Sequence, residues 1–249
     1  MPYAANKILV LEKVDSTNNY AMALIQRAEA NDGNAVFAME QTNGKGRRGK
    51  SWNSHIGDNI ILSITAQMQW LPVSKQFELS VAAALGCHDF VSKHNPSTTS
   101  IKWPNDIFIN DSKAGGILIE NLIKGTLWQW TVIGIGININ QVDFEKYNLS
   151  RISLKQITGN DYNVLKMAEE LHALVLKRIG ELKSGEFSKM LEEYNEHLYG
   201  KGRLAKLKKQ NIVFETKIVG VSDAGQLITN DALERRFNFD EVEFKGFIQ

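Results

Sequence analysis

Apolar residues recur along this chain with two spacings, and the spacings predict the elements. Alternation or a short unbroken apolar run marks a strand, and a period near 3.6 marks a helix. Lys7–Val14 is apolar and β-branched enough for a strand. Asp15-Ser16-Thr17 then offers N-cap side chains, and Asn18–Ala30 reads as a helix with Tyr20, Ala23, Leu24 and Ala28 on one face. Ala35–Met39 reads as a short buried strand, positions 42–57 as a polar loop, and Asn59–Met68 as an alternating strand. Lys75–His94 has helical spacing through Phe77, Leu79, Val81, Ala84, Leu85 and Phe90. Four strand candidates follow: Ser100–Trp103, Ile107–Asn110, Gly116–Leu122 and Leu127–Asn138. Val164–Lys183 and Glu186–Leu198 read as two helices divided by Ser184-Gly185.

From about Gly200 the character changes. Arg203–Leu207, Ile212–Val219, Gln226–Thr229 and Phe237–Phe244 are short strand candidates, with Asp223-Ala224-Gly225 as a hairpin-type turn. Short strands in close succession suggest a small barrel or meander appended to a larger body.

Composition narrows the function classes. The 249 residues include 29 Lys+Arg and 28 Asp+Glu, a formal net charge of +1. That length allows one large domain, or a large one with a small one. The balance argues against a dedicated nucleic-acid or membrane-surface binder, which carries a large basic excess. Cys87 is the single cysteine, so an internal disulfide and a multi-cysteine metal site are excluded. A lone thiol fits a reducing cytosol. The first residues lack the charged head and apolar core of a signal peptide. No apolar run approaches the roughly 18–20 residues needed to cross a bilayer. The expected location is therefore cytoplasmic, where the sequon Asn148-Leu149-Ser150 has no meaning. His55, His88, His94, His172 and His197 show no metal-ligand spacing, and no resident metal site is expected.

Five segments could carry chemistry. Gly44-Lys45-Gly46-Arg47-Arg48-Gly49-Lys50 packs four cations among three glycines, just before Ser51-Trp52. Glycines let a backbone turn tightly and present N–H groups, and the cations bind anionic oxygens. The segment is neither a P-loop nor a dinucleotide-binding turn, and a solvated basic loop would look similar. In Ile101-Lys102-Trp103-Pro104-Asn105-Asp106, Pro104 forces a turn that gathers a cation, an indole, an amide and a carboxylate. A plain β-turn satisfying its own backbone would show the same residues. Lys113-Ala114-Gly115-Gly116-Ile117-Leu118-Ile119-Glu120 sets a lysine before two glycines and a buried strand, as an electrostatic catalyst or an ordinary hairpin would require.

Gly134-Ile135-Gly136-Ile137-Asn138 alternates at period two. The isoleucines face the core, and the glycine face admits something close to the backbone. A ligand, a packed helix or a bulge would each explain it. Asp15-Ser16-Thr17-Asn18, with Gln41 ending the next strand, could bind a neutral polar ring at a helix N-terminus or could merely cap the helix. The cluster Lys201, Arg203, Lys206, Lys208 and Lys209 reads as a solvated strand face.

Taken together and in this order, these segments resemble the biotin–protein ligase family. The resemblance rests on Ser16-Thr17-Asn18, Gln41 with Gly44–Gly49, Lys102–Asp106, Lys113 before Gly115–Glu120, and Gly134–Asn138. It covers about residues 7 to 198, with a weaker likeness of the terminal module to the family's small SH3-like domain. One departure is Lys45, where the family's loop carries arginine. Charge is kept and a planar bidentate donor is lost. The first strand begins at about Lys7, so the resemblance is to the monofunctional type without a DNA-binding domain.

The resemblance implies an α+β fold: a mixed β-sheet catalytic domain of the biotin/lipoate ligase type with helices packed on it (1–199), plus a small C-terminal SH3-like β-barrel (200–249). It implies attack of the biotin carboxylate on the α-phosphate of ATP, then transfer from biotinyl-5′-AMP to one lysine of a biotin carrier domain of a biotin-dependent carboxylase. A lipoate–protein ligase with the same adenylation chemistry is the alternative. Lys113, Arg47 and Asp106 are then the catalytic candidates. Ser16, Thr17, Asn18, Gln41, Gly44, Lys45, Arg47, Lys113, Gly116 and Gly134 would hold biotin. Arg47, Arg48, Lys50, Trp52, Lys102, Asn105, Lys113 and Asn138 would hold ATP, with Mg²⁺ accompanying it. The glycine-rich loop would fold over the adenylate and keep water out. A monomer or homodimer is expected, with no nucleic-acid or membrane partner.

Overall fold

The computed structural model describes residues 7–95, 99–144 and 150–248. The N-terminal segment read above for a leader and the Asn148-Leu149 part of the sequon lie outside the described residues. The chain runs β1 (Ile8–Val14), α1 (Thr17–Gln26), β2 (Ala35–Gln41), β3 (Asn59–Gln67), α2 (Gln76–His94), β4 (Thr99–Lys102), β5 (Asp106–Ile109), β6 (Ser112–Lys124) and β7 (Leu127–Asn138). It continues with α3 (Leu154–Thr158), α4 (Val164–Lys183), α5 (Phe187–Glu196), β8 (Leu204–Lys209), β9 (Ile212–Val221), β10 (Leu227–Asn230), β11 (Glu234–Phe237) and β12 (Glu243–Phe247). No helix among the described residues is long and apolar enough to cross a membrane.

The first seven strands form one mixed sheet in the order β1-β2-β3-β7-β6-β5-β4. β1 and β2 are parallel, as a helical crossover between them requires, and the other neighbours are antiparallel. The two faces of this sheet are covered differently. One packs on α2 and α4 through Phe37, Ile60, Leu62, Ile64, Ile133, Ile135 and Ile137. At Gly86 on α2 any Cβ would collide with the backbone of Val175, so the glycine sets how closely α2 and α4 approach. The other face carries α1 over Val36 and Val132. Both faces of β3 are therefore buried, and its expected half-exposed alternation is not observed.

α1 differs from its expected orientation. Its buried residues are Thr17, Asn18, Ala21 and Ile25, whereas Tyr20 and Leu24 pack at the margin. Ala28 lies past the helix end with φ 58°. The buried stripe is rotated from the expected one, because the sheet beneath takes small and polar residues at the helix N-terminus and Ile25 further along. α3 was not foreseen. Ser153 and Gln156 form its capping box, and Gly159 ends it in the left-handed conformation.

The last five strands form a second, antiparallel sheet in the order β11-β10-β9-β8-β12. The expected single strand Phe237–Phe244 is two strands, β11 and β12, separated by a turn in which Asp240 has φ 71°. These five strands fit the expected small SH3-like C-terminal domain, and no ladder joining β11 to β12 is seen among the described residues. The two sheets meet at the Trp103–Pro104 corner, where the Trp103 indole N–H donates to Gly225 O at 3.0 Å.

His88 of α2 stacks on His197, which follows α5, with ring centroids 3.9 Å apart and 23° between planes. Burial, helped by His197, lowers the His88 pKa from 6.5 to about 4, against the weaker pull of a hydrogen bond to the Thr99 backbone and of Asp89 and Glu193. The unfolded chain therefore binds this proton at a higher pH than the folded one. The associated stability should be complete above pH 6.5 and decline as pH falls towards about 4. Urea midpoints across that range should show the decline in the parent protein and a flatter profile in His88→Gln. Parallel profiles would remove His88 as the cause.

Candidate functional site

β7 supplies the floor. Its even-numbered residues turn away from the α2–α4 core, and at Gly134 and Gly136 the missing side chains leave room against the backbone. A Cβ at Gly134 would overlap the Asn18 amide, and one at Gly136 would overlap the Trp52 indole. Of the three explanations open for this pattern, close packing by α1 and by the loop residue Trp52 is what the structure contains. The space left beside them is a narrow cavity of about 70 Å³.

Ser16, Thr17, Asn18, Gln41, Lys45, Arg47, Lys113, Gly116 and Gly134 line that cavity, together with Trp52, Asn105 and Leu118. The N-terminus of α1 forms one wall. Ser16 makes no side-chain cap, and Gln41 takes that role from the neighbouring strand. Its Oε1 accepts from Thr17 N at 2.7 Å and from Thr17 Oγ1 at 3.1 Å. Ser63 Oγ donates to Asn18 Oδ1 at 2.6 Å and lies 2.8 Å from Thr17 Oγ1. Asn18 Nδ2 donates to Glu120 Oε2 at 2.7 Å. These side chains form one hydrogen-bonded group of hydroxyls and amides. Gly44, expected at the same site, sits just behind: a Cβ there would strike Trp52 O and the Gln41 amide.

The Gly-rich loop is folded on itself. Gly46 N donates to Lys50 O at 2.7 Å, and Trp52 N to Gly44 O at 2.9 Å. Arg48 occupies the left-handed region at φ 56°. Three of the loop's cations, Lys45, Arg47 and Arg48, already have partners. Lys45 Nζ donates to Asn19 Oδ1 at 2.5 Å and lies 3.8 Å from Glu120. Asn19 in turn donates to Asp15, holding that carboxyl below its usual pKa. Arg48 Nε and Arg47 Nη2 both reach Asp240 of the second sheet, at 2.8 and 3.4 Å.

A wider cleft of about 450 Å³ adjoins the cavity and shares Gly46, Arg47, Trp52, Asn105 and Lys113 with it. It adds Arg48, Lys50, Lys102, Asp106 and Arg151, and residues of the second sheet including Asp240 and Phe244. Lys113 Nζ and Asp106 Oδ1 are 2.5 Å apart. A Cβ at Gly116 would crowd both of these groups. Asn105 Nδ2 donates to Ile117 O at 2.7 Å, which locks the corner onto β6. Burial pushes the Lys102 pKa below its ordinary value. The Trp52 indole N–H is buried with no partner among the described residues. Lys113 Nζ and the Arg151 guanidinium lie 5.8 and 6.0 Å from that ring.

Asn138 lies behind the cleft and lines neither space. It is 3% exposed, and its Nδ2 donates to Lys113 O at 3.2 Å and Ile152 O at 3.0 Å. It thereby bonds the 150–152 segment to the start of β6, where Lys113 bridges Arg151. Sequence reasoning missed Arg151, Asp240, Glu120 and Phe244. Glu120 ends the Lys113–Glu120 segment but has no assigned role there; the other three sit in no motif, and only the folded chain brings all four here. Among the described residues no group of three or more His, Cys, Asp or Glu is placed to hold a metal ion.

Residues 10–138 match the Biotin/lipoate A/B protein ligase family. The Bifunctional ligase/repressor BirA of Bacillus subtilis is 27% identical over 237 residues, covering 93% of this chain and 73% of that protein. The Biotin--[acetyl-CoA-carboxylase] ligase of Mycobacterium tuberculosis is 33% identical over 139 residues, covering 55% of this chain and 50% of that one. The structure of biotin protein ligase from Aquifex aeolicus in complex with biotin and ATP superposes with a TM-score of 0.82 at 23% identity, covering 98% of this chain and 100% of that one. That last likeness is one of fold.

Because Asn18 is tied to Ser63, Glu120 and the Leu118 carbonyl, it cannot swing away cheaply from a methyl at Gly134. Gly134→Ala should lower stability by about 1–3 kcal/mol, the usual cost of overpacking. Urea denaturation checks this, and an unchanged midpoint would show that Asn18 moves freely.

Proposed function

We propose, from the fact that the chain belongs to the biotin/lipoate A/B protein ligase family, that it activates biotin with ATP and transfers it to a protein lysine. The observation that carries this reading is the pairing of two unlike spaces. A narrow cavity, with the hydroxyls and amides of Ser16, Thr17, Asn18 and Gln41 on one side and Lys45, Arg47 and Lys113 also in its lining, opens beside a wider cleft crowded with cations. A ureido ring and its apolar chain suit the first, and a polyphosphate suits the second. Two of the proteins compared above have biotin in their names, which favours biotin over lipoate.

The chain then comprises a ligase domain, residues 1–199, and a small C-terminal domain, residues 200–249. Ser16, Thr17, Asn18 and Gln41 hold the ureido ring, with Gly116 and Gly134 leaving room beneath it. The carboxylate of biotin attacks the α-phosphorus, and pyrophosphate leaves. Two anions must meet, so the residues that matter are those that offset their repulsion. Lys113 stands where cavity and cleft join, and Arg47 is shared by both. Arg48, Lys50 and Lys102 line the cleft where the leaving phosphates would lie. Arg47 and Arg48 exchange Asp240 for phosphate oxygens, and the unpartnered Trp52 N–H is free to donate to an entering oxygen. Asn138 holds Lys113 and Arg151 side by side from behind.

Mg²⁺ fits as a companion of the nucleotide, because this ion is commonly held by phosphates with one or two carboxylates. Asp106 in the cleft is such a carboxylate, and the ion would supply further charge neutralisation. In the second step the ε-amine of the carrier lysine attacks the acyl carbon, AMP leaves, and Asp106 orients the amine or takes its proton. No protein nucleophile is needed, because the adenylate is already activated.

Incubation with biotin, Mg-ATP and a biotin carrier domain should yield one biotinyl adduct by intact mass. Absence of an adduct on a verified carrier would refute the assignment. Lys113→Ala should slow biotin-dependent ATP–pyrophosphate exchange by roughly a hundredfold, the usual scale for losing one transition-state donor. Normal exchange in that variant would take Lys113 out of the chemistry.

A further inference from the structure

Lys102 differs from Lys113, Arg47 and Arg48 in the cleft. Lys113 is paired with Asp106, and Arg47 and Arg48 with Asp240. The Lys102 ammonium has no hydrogen-bond or ion-pair partner among the described residues. It lies between aromatic rings: Nζ is 4.6 Å from the Phe244 centroid, 4.7 Å from Phe108 and 5.8 Å from Tyr199. These rings come from three parts of the molecule. Phe108 is on β5, Tyr199 lies between α5 and β8, and Phe244 is on β12 of the second sheet. They also hold one another. Phe108 is 4.8 Å from Tyr199, and Phe247 lies 5.1 Å from Tyr199 and 5.0 Å from Phe244. The Tyr199 hydroxyl donates to Asp111 at 2.7 Å, which sets the orientation of its ring.

A ring face and a carboxylate hold a cation in different ways. A carboxylate neutralises it and must be displaced when another anion arrives. A ring face attracts the ammonium through its quadrupole and leaves the net charge in place. The three rings also remove water that would otherwise screen it, and burial is the largest influence on this lysine. Asp106 favours its charged form, whereas Lys113 and Lys50 oppose it. An ammonium fixed in this way presents undiminished charge to an anion in the cleft.

We propose that Phe244 is a positioning residue for Lys102: the second sheet completes an aromatic box that aims an uncompensated ammonium at the phosphates of ATP. The proposal rests on the reading that the cleft binds ATP. It gives the C-terminal sheet a part in nucleotide binding without requiring that it touch the nucleotide.

The test uses the full chain and biotin-dependent ATP–pyrophosphate exchange. Phe244→Leu keeps an apolar side chain and removes the ring. It should raise the KM for ATP roughly thirtyfold, the scale of one desolvated cation–π contact, and leave the KM for biotin unchanged. Phe244→Tyr keeps the ring face and should stay near the parent value. In a Lys102→Met background, Phe244→Leu should add nothing further. A loss of kcat or of stability with an unchanged ATP KM would overturn the proposal, as would additive effects in the double variant. Should Phe244→Leu fail to fold, phenylalanines of increasing fluorine content at position 244 preserve shape and weaken the ring face. The ATP KM should then climb with fluorine number, and a flat series would overturn the proposal. If the parent protein shows no biotin-dependent exchange, the ligase reading fails first, and that outcome is distinct from a flat series in an active enzyme.

Discussion

Strand β7 is buried on both faces, and the two faces are built from different materials. Ile133, Ile135 and Ile137 drive one face into the core formed with α2 and α4. Gly134 and Gly136 leave the other face almost bare, so that Asn18 from α1 and Trp52 from the loop can rest on the backbone itself. The rest of the site depends on this asymmetry. The isoleucine side anchors the strand, since burying each such side chain contributes about 1.5–3 kcal/mol. The glycine side can then give up packing area to a cavity without loosening the sheet. A larger residue at Gly134 would fill the cavity, and a polar one at Ile135 would undo the anchor.

The second constraint is electrostatic. Arg47, Arg48, Lys50, Lys102, Lys113 and Arg151 converge on one cleft, in a chain whose net charge is only +1. Like charges at such density repel unless each is compensated. Asp106 serves Lys113, and Asp240 serves Arg47 and Arg48. The aromatic box serves Lys102 without neutralising it. These partners have different consequences for ligand binding. Each carboxylate is a competitor that a phosphate must replace, and the rings are not. Two of the partners come with the second sheet: Phe244 is on β12, and Asp240 is in the turn between β11 and β12. That sheet is therefore part of the charge balance of a site whose floor and walls come from the first.

Much of this was legible from local pattern. Periodicity predicted the strands of the first sheet and the helices α2, α4 and α5 to within a few residues, because each buries a face of regular spacing. The glycine–isoleucine alternation predicted an anchored side and an open side for β7. The readings that failed did so for local reasons. The sequence places Tyr20, Ala23, Leu24 and Ala28 on one stripe of α1, yet the buried face carries Ala21 and Ile25 and begins with Thr17 and Asn18, which belong to a polar group with Ser63 and Gln41. The last expected strand ran through a turn, because Phe239 and Val242 look like strand residues when the φ of Asp240 is unknown.

Sequence by itself determined the order of the five segments, the four cations packed among the loop glycines, and the two-faced β7. These are properties of neighbouring residues, and covalent connection alone brings them together. Tertiary structure decided which charges have partners. Arg151 comes beside Lys113 through a strand bridge, Asp240 meets Arg47 and Arg48 through the approach of two sheets, and Phe244 closes over Lys102 from more than half the chain away. Such pairings leave no periodic trace, because a single contact between distant segments constrains one residue on each side. Their strength depends on distance and on exclusion of water, and both exist only once the chain has folded.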